Sequence, residues 1–471
     1  MEEMNHKQPS FIQSLIPLMA IAVFLSVGYG VFKLRIEILL IAAATVAGII
    51  AVRLGYSYKE IESGILESML KGMPAMLVVI VVGALIGSWI IAGTIPLLIY
   101  YGIKIISPGY FLVTACIVSS CISLVTGTSY GTAGTIGVAF MGIAQGLGIP
   151  LGQAAGAIVA GAYFGDKISP FSDTTNLAPI AAQSNLFDHI RHTLWTTTPA
   201  WLLGLVVYLL LGLFSDHSDT VSLEKTETIM GVLQSSFRFH WLLLLPPAIT
   251  LFLAIRKKPV IPGMLISAAV AAVLAIFIQG VEVVTAVRSM VFGFVADTGE
   301  GFVDSLLTRG GMVNMMDVTL IAFCAFAFGG IMQKTGMLDV LLDRLTRIAN
   351  TTGKIIAATV ASCITTALLT GSSFLSILIP GELFAPVYKK HKLAAKNLSR
   401  TTEDSGTVVV PLIPWSIAGV YMAGTLGVEN SLVYAPWAIM CYTGFIFALI
   451  YGFSGFAIAP KIREDETIPG S

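Results

Sequence analysis

Apolar residues run along this chain in long, nearly unbroken blocks, without the period-two alternation of a half-buried strand or the single apolar stripe of a soluble helix. Uncharged or nearly uncharged runs fall at about 11–32, 36–54, 72–91, 198–215, 240–256, 260–279, 317–332 and 433–454. Each is close to the ~20 residues that an α-helix needs to cross a bilayer. Two longer apolar regions, 151–184 and 393–423, contain polar residues and prolines in mid-run. Two more, 110–147 and 353–388, hold small polar knots at their centres, TGTSYGT (126–132) and TGSSFLS (370–376). The pattern predicts an all-α polytopic membrane protein with about ten full crossings. The opening run is longer than the apolar core of a signal peptide and lacks a small-residue cleavage site, so it is read as a first span.

Composition excludes other classes. Of 471 residues, 56% are apolar and 11% charged, and the mean hydropathy is +0.86. The 27 basic and 27 acidic residues cancel, which gives no basic surface for nucleic acid. The five cysteines (Cys116, Cys121, Cys324, Cys363, Cys441) all lie in apolar stretches and show neither zinc-ligand spacing nor a disulfide framework. Basic residues set the orientation. With Arg256, Lys257 and Lys258 placed in the cytoplasm, the basic segments 334–354 and 389–400 also fall inside, as do Arg53, Lys59, Lys71, Lys461 and Arg463. The acidic loop 215–239 and the loop 424–432 fall outside, and one exception to the rule is the turn with Lys33 and Arg35. Both termini are then cytoplasmic. The acid-and-base stripe 57–71 reads as cytoplasmic surface, and Gly83/Gly87 and Gly152/Gly156 as helix-packing faces.

The chain also repeats itself. Gly87 and Gly93 correspond to Gly330 and Gly336 at an offset of 243, TGTS (126–129) to TGSS (370–373) at 244, Asp166 to Asp404 at 238, and Trp201 to Trp437 at 236. The amphipathic pieces 95–107 and 337–349 each precede a polar knot. The boundaries are an N-terminal segment 1–10, a first repeat 11–215, a linker 216–239, a second repeat 240–454 and a tail 455–471. Each half makes five crossings plus one polar-knot segment that starts and ends on the same face, whether it re-enters or crosses twice. Five is odd, so the halves run in opposite directions, the plan of many secondary transporters.

The candidate chemistry sits where helices must break near the bilayer midplane. In GAYFGDKISPFSDTTN (161–176), Pro170 removes the helical partner of the Asp166 carbonyl. That freed carbonyl, the carboxylates of Asp166 and Asp173, and the polar groups of Ser172, Thr174, Thr175 and Asn176 form an oxygen-rich cage for a hard monovalent cation. In RTTEDSGTVVVPLIPW (400–415), Pro411 frees the carbonyl of Thr407 and Pro414 that of Val410, with Glu403 and Asp404 side by side just before the break. Glu382 adds an acid in the second arm of the second knot segment. The knots supply glycine for close backbone approach and hydroxyls as neutral ligands. Lys167 is expected to pair with Asp166 or another acid rather than with substrate. Desolvation and a like-charged neighbour favour the protonated form of a carboxyl group, and a nearby cation favours the ionised form. One carboxylate can therefore hold either H⁺ or Na⁺, and opening it alternately to each face gives antiport. The six histidines fall in loops or at span ends, which makes imidazole a poor carrier for the transported proton.

GTSYGTAGTIG (127–137), YFGDKISPFSDTTNLAP (163–179) and EDSGTVVVPLIPW (403–415) resemble signature segments of the NhaC family of bacterial Na⁺/H⁺ antiporters. The likeness extends over nearly the whole chain. It implies the ion-transporter superfamily fold: two inverted repeats, re-entrant hairpins at 110–147 and 353–388, broken helices at 151–184 and 393–423, interfacial arms at 95–107 and 337–349, and an elevator-like homodimer. It implies Na⁺ ligands from Thr126, Gly127, Thr128 and Ser129 together with the 166–176 break, completed by Thr370, Gly371, Ser372, Ser373 and Thr407. It implies no cofactor beyond transported Na⁺ and H⁺, and a place in the bacterial cytoplasmic membrane. The same family contains an antiporter that exchanges malate and H⁺ for Na⁺ and lactate, which stands as the alternative. No arginine lies within the motif cores, which favours simple cation exchange, because organic anions usually call for one. A channel would show one filter rather than a doubled motif, a receptor would carry a larger soluble part, and no HExxH, GxSxG or histidine cluster marks an enzyme.

Overall fold

The computed structural model describes residues 6–214, 220–256 and 258–460. The expectations for Lys257, Lys461, Arg463 and most of the tail fall outside them. Among the described residues the chain is helical, with β structure confined to two isolated bridges. Eight helices are long and apolar enough to cross a membrane, or ten if each of two sharply bent pairs counts as one span. The chain is an all-α polytopic membrane protein.

The first half contains α1 (Phe11–Tyr29), α2 (Ile36–Arg53), α3 (Tyr58–Ala92), α4 (Thr94–Ile105), α5 (Phe111–Thr126), α6 (129–146), α7 (Leu151–Ile168), α8 (Asp173–Ala182) and α9 (Leu186–Phe214). After α10 (Thr220–Ser236), the second half contains α11 (Leu245–Ile255), α12 (Val260–Gln279), α13 (Val283–Phe292), α14 (Gly301–Leu307), α15 (Met315–Lys334), α16 (Met337–Arg347), α17 (Thr352–Thr370), α18 (Ser373–Lys390), α19 (Ala395–Thr402), α20 (Ile417–Leu426) and α21 (Ile439–Ser454). The linker expected as a loop at 216–239 is mostly helix α10, which packs on α4. The stripe 57–71 forms the first turns of a longer helix. Ser57 and Glu60 form a capping box that starts α3, and the helix runs unbroken for 35 residues. At 1.5 Å per residue that is ~52 Å, well beyond a ~30 Å hydrocarbon core.

Matching segments end in matching ways. α3 stops at Gly93 (φ 89°) and α15 is followed by Gly336 (φ 72°), each in the left-handed region that glycine reaches without strain, and a short helix follows each. α3 and α15 pack against each other in antiparallel register: a Cβ on Gly64 would meet Lys334, one on Gly72 would meet Phe326, and one on Gly83 would meet Met315. α3 also packs on α12 and α15 on α2, so each half's long helix is seated partly in the other half. Gly83 and Gly87 serve close backbone approach, as the sequence indicated. The Gly83 carbonyl accepts from Gly311 N at 2.7 Å and the Gly87 carbonyl from Ser289 Oγ at 2.8 Å. Outward-facing Leu202, Val206, Leu210 and Leu213 leave one side of α9 apolar and exposed, as a lipid-facing helix requires.

Candidate functional site

Each polar knot is a helix end meeting a helix start. α5 closes at Gly127 (φ 68°), whose N–H donates to the Ser123 carbonyl, and Thr128 Oγ1 then caps the next turn by accepting from Gly131 N at 3.1 Å. α17 closes in the same way at Gly371 (φ 64°), and Ser372 Oγ caps α18. Each tip rests on the break of its own half. A Cβ on Gly127 would lie 2.7 Å from the Phe171 backbone, and the Gly371 carbonyl accepts from Ile417 N at 3.0 Å.

The two tips and the two breaks meet around one cavity of ≈ 870 Å³. Its lining includes Thr126, Gly127, Thr128, Ser129, Asp166, Ser172, Asp173, Thr174, Ser372, Ser373 and Thr407, eleven of the residues singled out from sequence and drawn from both halves. The Asp166 carboxylate is buried and accepts from Ser129 N at 3.2 Å, which ties the first break to the first tip. Asp173 opens α8 and is exposed to the cavity. Ser172 Oγ and Thr174 Oγ1 lie 3.2 Å apart. The hydroxyls of Thr126 and Thr407 are buried without a hydrogen-bond partner. The cavity therefore presents two carboxylates, several hydroxyls and the capped starts of three helices, a donor set suited to a hard cation.

Several proposed ligands are used elsewhere. The Asp166 carbonyl is not free: it accepts from Ser169 N at 3.1 Å and from Thr175 Oγ1 at 3.0 Å, and that hydroxyl also reaches the Lys167 carbonyl. Asn176 Nδ2 donates to the carbonyls of Pro170 and Ser172, so its amide holds the break in shape. In the second half the Val410 carbonyl accepts from Ser416 Oγ and Ile413 N. The physical reason is common to all three. A broken helix buried in apolar surroundings satisfies its own backbone first, because an unpaired carbonyl there is expensive. Thr370 donates to Thr366 within its helix. Thr370, Gly371, Thr175, Asn176, Glu403, Asp404 and Glu382 are not among the cavity-lining residues. Glu382 lies on an exposed face of α18.

Glu403 and Asp404 stand in a π-turn after α19 and are fully buried. Lys167, also fully buried, pairs with Asp404 across the two halves, and Thr196 Oγ1 donates to the same oxygen at 3.0 Å. Lys167 thus pairs with an acid, the partner coming from the other half of the chain. Arg400 is buried as well and donates to the Ala457 carbonyl at 2.8 Å.

The sequence reading missed other residues. Lys71 and Lys258 line the cavity, as do Tyr130 and Tyr163. His189 and His192 are at a span end as expected, yet both are buried, bonded to Ser399 and Asn397. A signal was available. The buried positions of α9 include 189, 192, 193, 196, 197, 200 and 204, a helical stripe of polar and small residues inside an apolar run. No group of three or more His, Cys, Asp and Glu is arranged to hold a metal among the described residues.

Comparison with known proteins follows the same lines. The chain matches the model of the Na⁺/H⁺ antiporter family over residues 9–175 and 161–456. It is 46% identical to an uncharacterized Na⁺/H⁺ antiporter of Haemophilus influenzae over 465 residues, 97% of this chain and 98% of the relative. It is 38% identical to the Na⁺/H⁺ antiporter NhaC of Alkalihalophilus pseudofirmus, covering 92% and 93% of the two chains. It is 34% identical to a malate-2H⁺/Na⁺-lactate antiporter of Bacillus subtilis, covering 94% of each.

Proposed function

The chain belongs to the NhaC family of Na⁺/H⁺ antiporters, and on that premise we propose that it exchanges Na⁺ for H⁺ across a bacterial cytoplasmic membrane by alternating access. The observation that carries this reading is the single cavity in which the Asp166 and Asp173 carboxylates face hydroxyls from both tips. Na⁺ held there by Asp166, Asp173, Ser172, Thr174, Thr128 and Ser129 would compete with protons for the same carboxylates. The antiparallel packing of α3 and α15 supports two inverted repeats, in which α5–α6 and α17–α18 act as re-entrant hairpins and α4 and α16 as interfacial arms. Lys71 and Lys258 in the lining support a cavity open to the cytoplasm, with both termini on that side. In this reading the hairpins and broken helices move together as the elevator body of a homodimer.

A second reading, exchange of malate and H⁺ for Na⁺ and lactate, is favoured by two features of the same cavity. Its volume far exceeds that of one cation, and it carries two lysines besides the helix starts at Thr128, Ser172 and Ser372. Transport in proteoliposomes under an imposed pH gradient separates the two. Na⁺ or Li⁺ alone should drive proton movement, and exchange that requires malate or lactate would replace the first reading with the second.

A further inference from the structure

Glu403 and Thr407 stand at the two ends of the π-turn that follows α19. Both are buried, and among the described residues neither carboxylate oxygen of Glu403 nor the hydroxyl of Thr407 has a hydrogen-bond partner. Other hydroxyls of the same stretch are committed to backbone. Thr401 Oγ1 donates to the Asn397 carbonyl at 2.7 Å, Thr402 Oγ1 to that of Ser399 at 3.0 Å, and Ser405 Oγ to that of Thr401 at 2.6 Å. The cations nearby are engaged too: Lys167 pairs with Asp404, and Arg400 donates to the Ala457 carbonyl. A buried carboxylate normally takes a paired charge or several hydrogen bonds, so one with neither calls for an explanation. Its surroundings supply one. The hydroxyls facing Glu403 are those of Thr407 and Thr174, and both residues line the cavity, whereas Glu403 lies behind them. The charges around the two breaks point the same way. Asp166, Asp173, Glu403 and Asp404 are set against Lys167 and Arg400, so with all six ionised the acids exceed the bases by two. Lys71 and Lys258 also line the cavity, but both are exposed to solvent, which screens them. A cation at Asp166 and Asp173 offsets one charge of the excess and leaves the other.

We propose that Glu403 and Thr407 form a second site for a monovalent cation, set deeper than the first and entered from the cavity past the Thr174 hydroxyl. This rests on reading the chain as a Na⁺/H⁺ antiporter. Glu403 supplies the negative charge and its oxygens, and Thr407 adds a neutral oxygen, the kind of donor that a hard cation takes. Thr174 stands between this site and the one at Asp166 and Asp173. A hydrogen bond from Thr407 to Glu403 would fill only one of the carboxylate's roughly four acceptor positions and would leave the charge buried. A cation satisfies both side chains and the charge together. The site draws on the second half of the chain, as the first draws on the Asp166 break, so each half contributes one acid-bearing break to cation binding.

Equilibrium Na⁺ binding to the purified full-length protein at about pH 9, where few protons compete, counts the sites. The wild type is expected to bind two Na⁺ per chain, and Glu403→Gln, which keeps the size of the side chain, one. Thr407→Val should weaken the second Na⁺ by about tenfold or more and the first by less than about threefold. Thr407→Ser, which keeps the hydroxyl, restores the second. If Glu403→Gln does not fold, the two Thr407 variants carry the comparison. Infrared difference spectra separate a cation from a proton at Glu403: an ionised-carboxylate band should respond to added Na⁺ and be absent in Glu403→Gln. A protonated-carboxyl band at Glu403 that persists in saturating Na⁺ overturns the second site and leaves the antiporter reading standing. A non-zero Na⁺ count that is the same in wild type and Glu403→Gln does so too. A wild-type protein that binds no Na⁺ and moves no protons against it overturns the antiporter reading and the second site with it.

Discussion

Replacing Lys167 with methionine keeps most of the side-chain volume and removes the charged group paired with Asp404. Both residues are fully buried, so water cannot take over the lost contact. Asp404 would keep one hydrogen bond, from Thr196, and its Oδ2 already has none. Breaking a buried pair by removing one partner destabilises by about 3–5 kcal/mol, most of it the cost of the stranded charge. Asp404→Leu strands the ammonium instead and is expected to fall in the same range. The double variant Lys167→Met/Asp404→Leu removes both members of the pair, leaving Glu403 and Arg400 as buried neighbours. Thr196 then still donates to the Thr193 carbonyl, so the double change should run from roughly neutral to a gain of about 1–4 kcal/mol. The two singles together lose at least about 6 kcal/mol and the double loses about nothing, so the cycle should return an interaction energy of at least about 6 kcal/mol. Equilibrium unfolding in mixed micelles measures all three variants, and transport of the double variant reports whether a folded protein without the pair still exchanges ions. A single variant destabilised by less than about 1 kcal/mol, or a double variant as unstable as the sum of the singles, would refute the reasoning.

Other outcomes follow from the cavity. Asp166→Asn and Asp173→Asn should each abolish Na⁺-driven proton movement in folded protein, and in the wild type the KM for Na⁺ should rise as pH falls with little change in maximal rate. A KM flat with pH would show that the two ions do not share a site. At the tips, Gly127→Ala should be more harmful than Gly371→Ala. Both need a left-handed backbone, but a Cβ at 127 would meet the Phe171 backbone at 2.7 Å, against 3.2 Å to Ser416 at 371. The expected loss for Gly127→Ala is about 1–3 kcal/mol of stability together with weaker Na⁺ binding, and equal effects at the two tips would count against the packing argument.

The doubling of motifs was readable because Gly87 and Gly330, the TGTS and TGSS knots and the two proline breaks are local signals repeated at one offset. Glycine stops such as Gly93, Gly127, Gly336 and Gly371 do end helices, but α3 and α9 begin about a dozen residues before the apolar runs 72–91 and 198–215, because their first turns are polar. The reading went astray where a group's fate depends on how the chain turns after a break or on which segment packs over it. Freed carbonyls looked available at Asp166 and Val410, but the fold brings Thr175 and Ser416 onto them. Histidines at a span end looked idle, but the α19 segment covers them, placing Ser399 and Asn397 on their rings.

Hydropathy, charge and helix-breaking residues are properties of short windows, and by themselves they determined that the chain is a polytopic helical membrane protein, where its interruptions fall and which of them carry acids. The tertiary structure alone decided which oxygens face the cavity and which are used up in holding the breaks together. It also decided that Lys167 finds its counter-charge 237 residues away. The reason is energetic: a polar group out of water must find a partner, and which partner lies within reach is set by how the helices pack, over separations that no local pattern records.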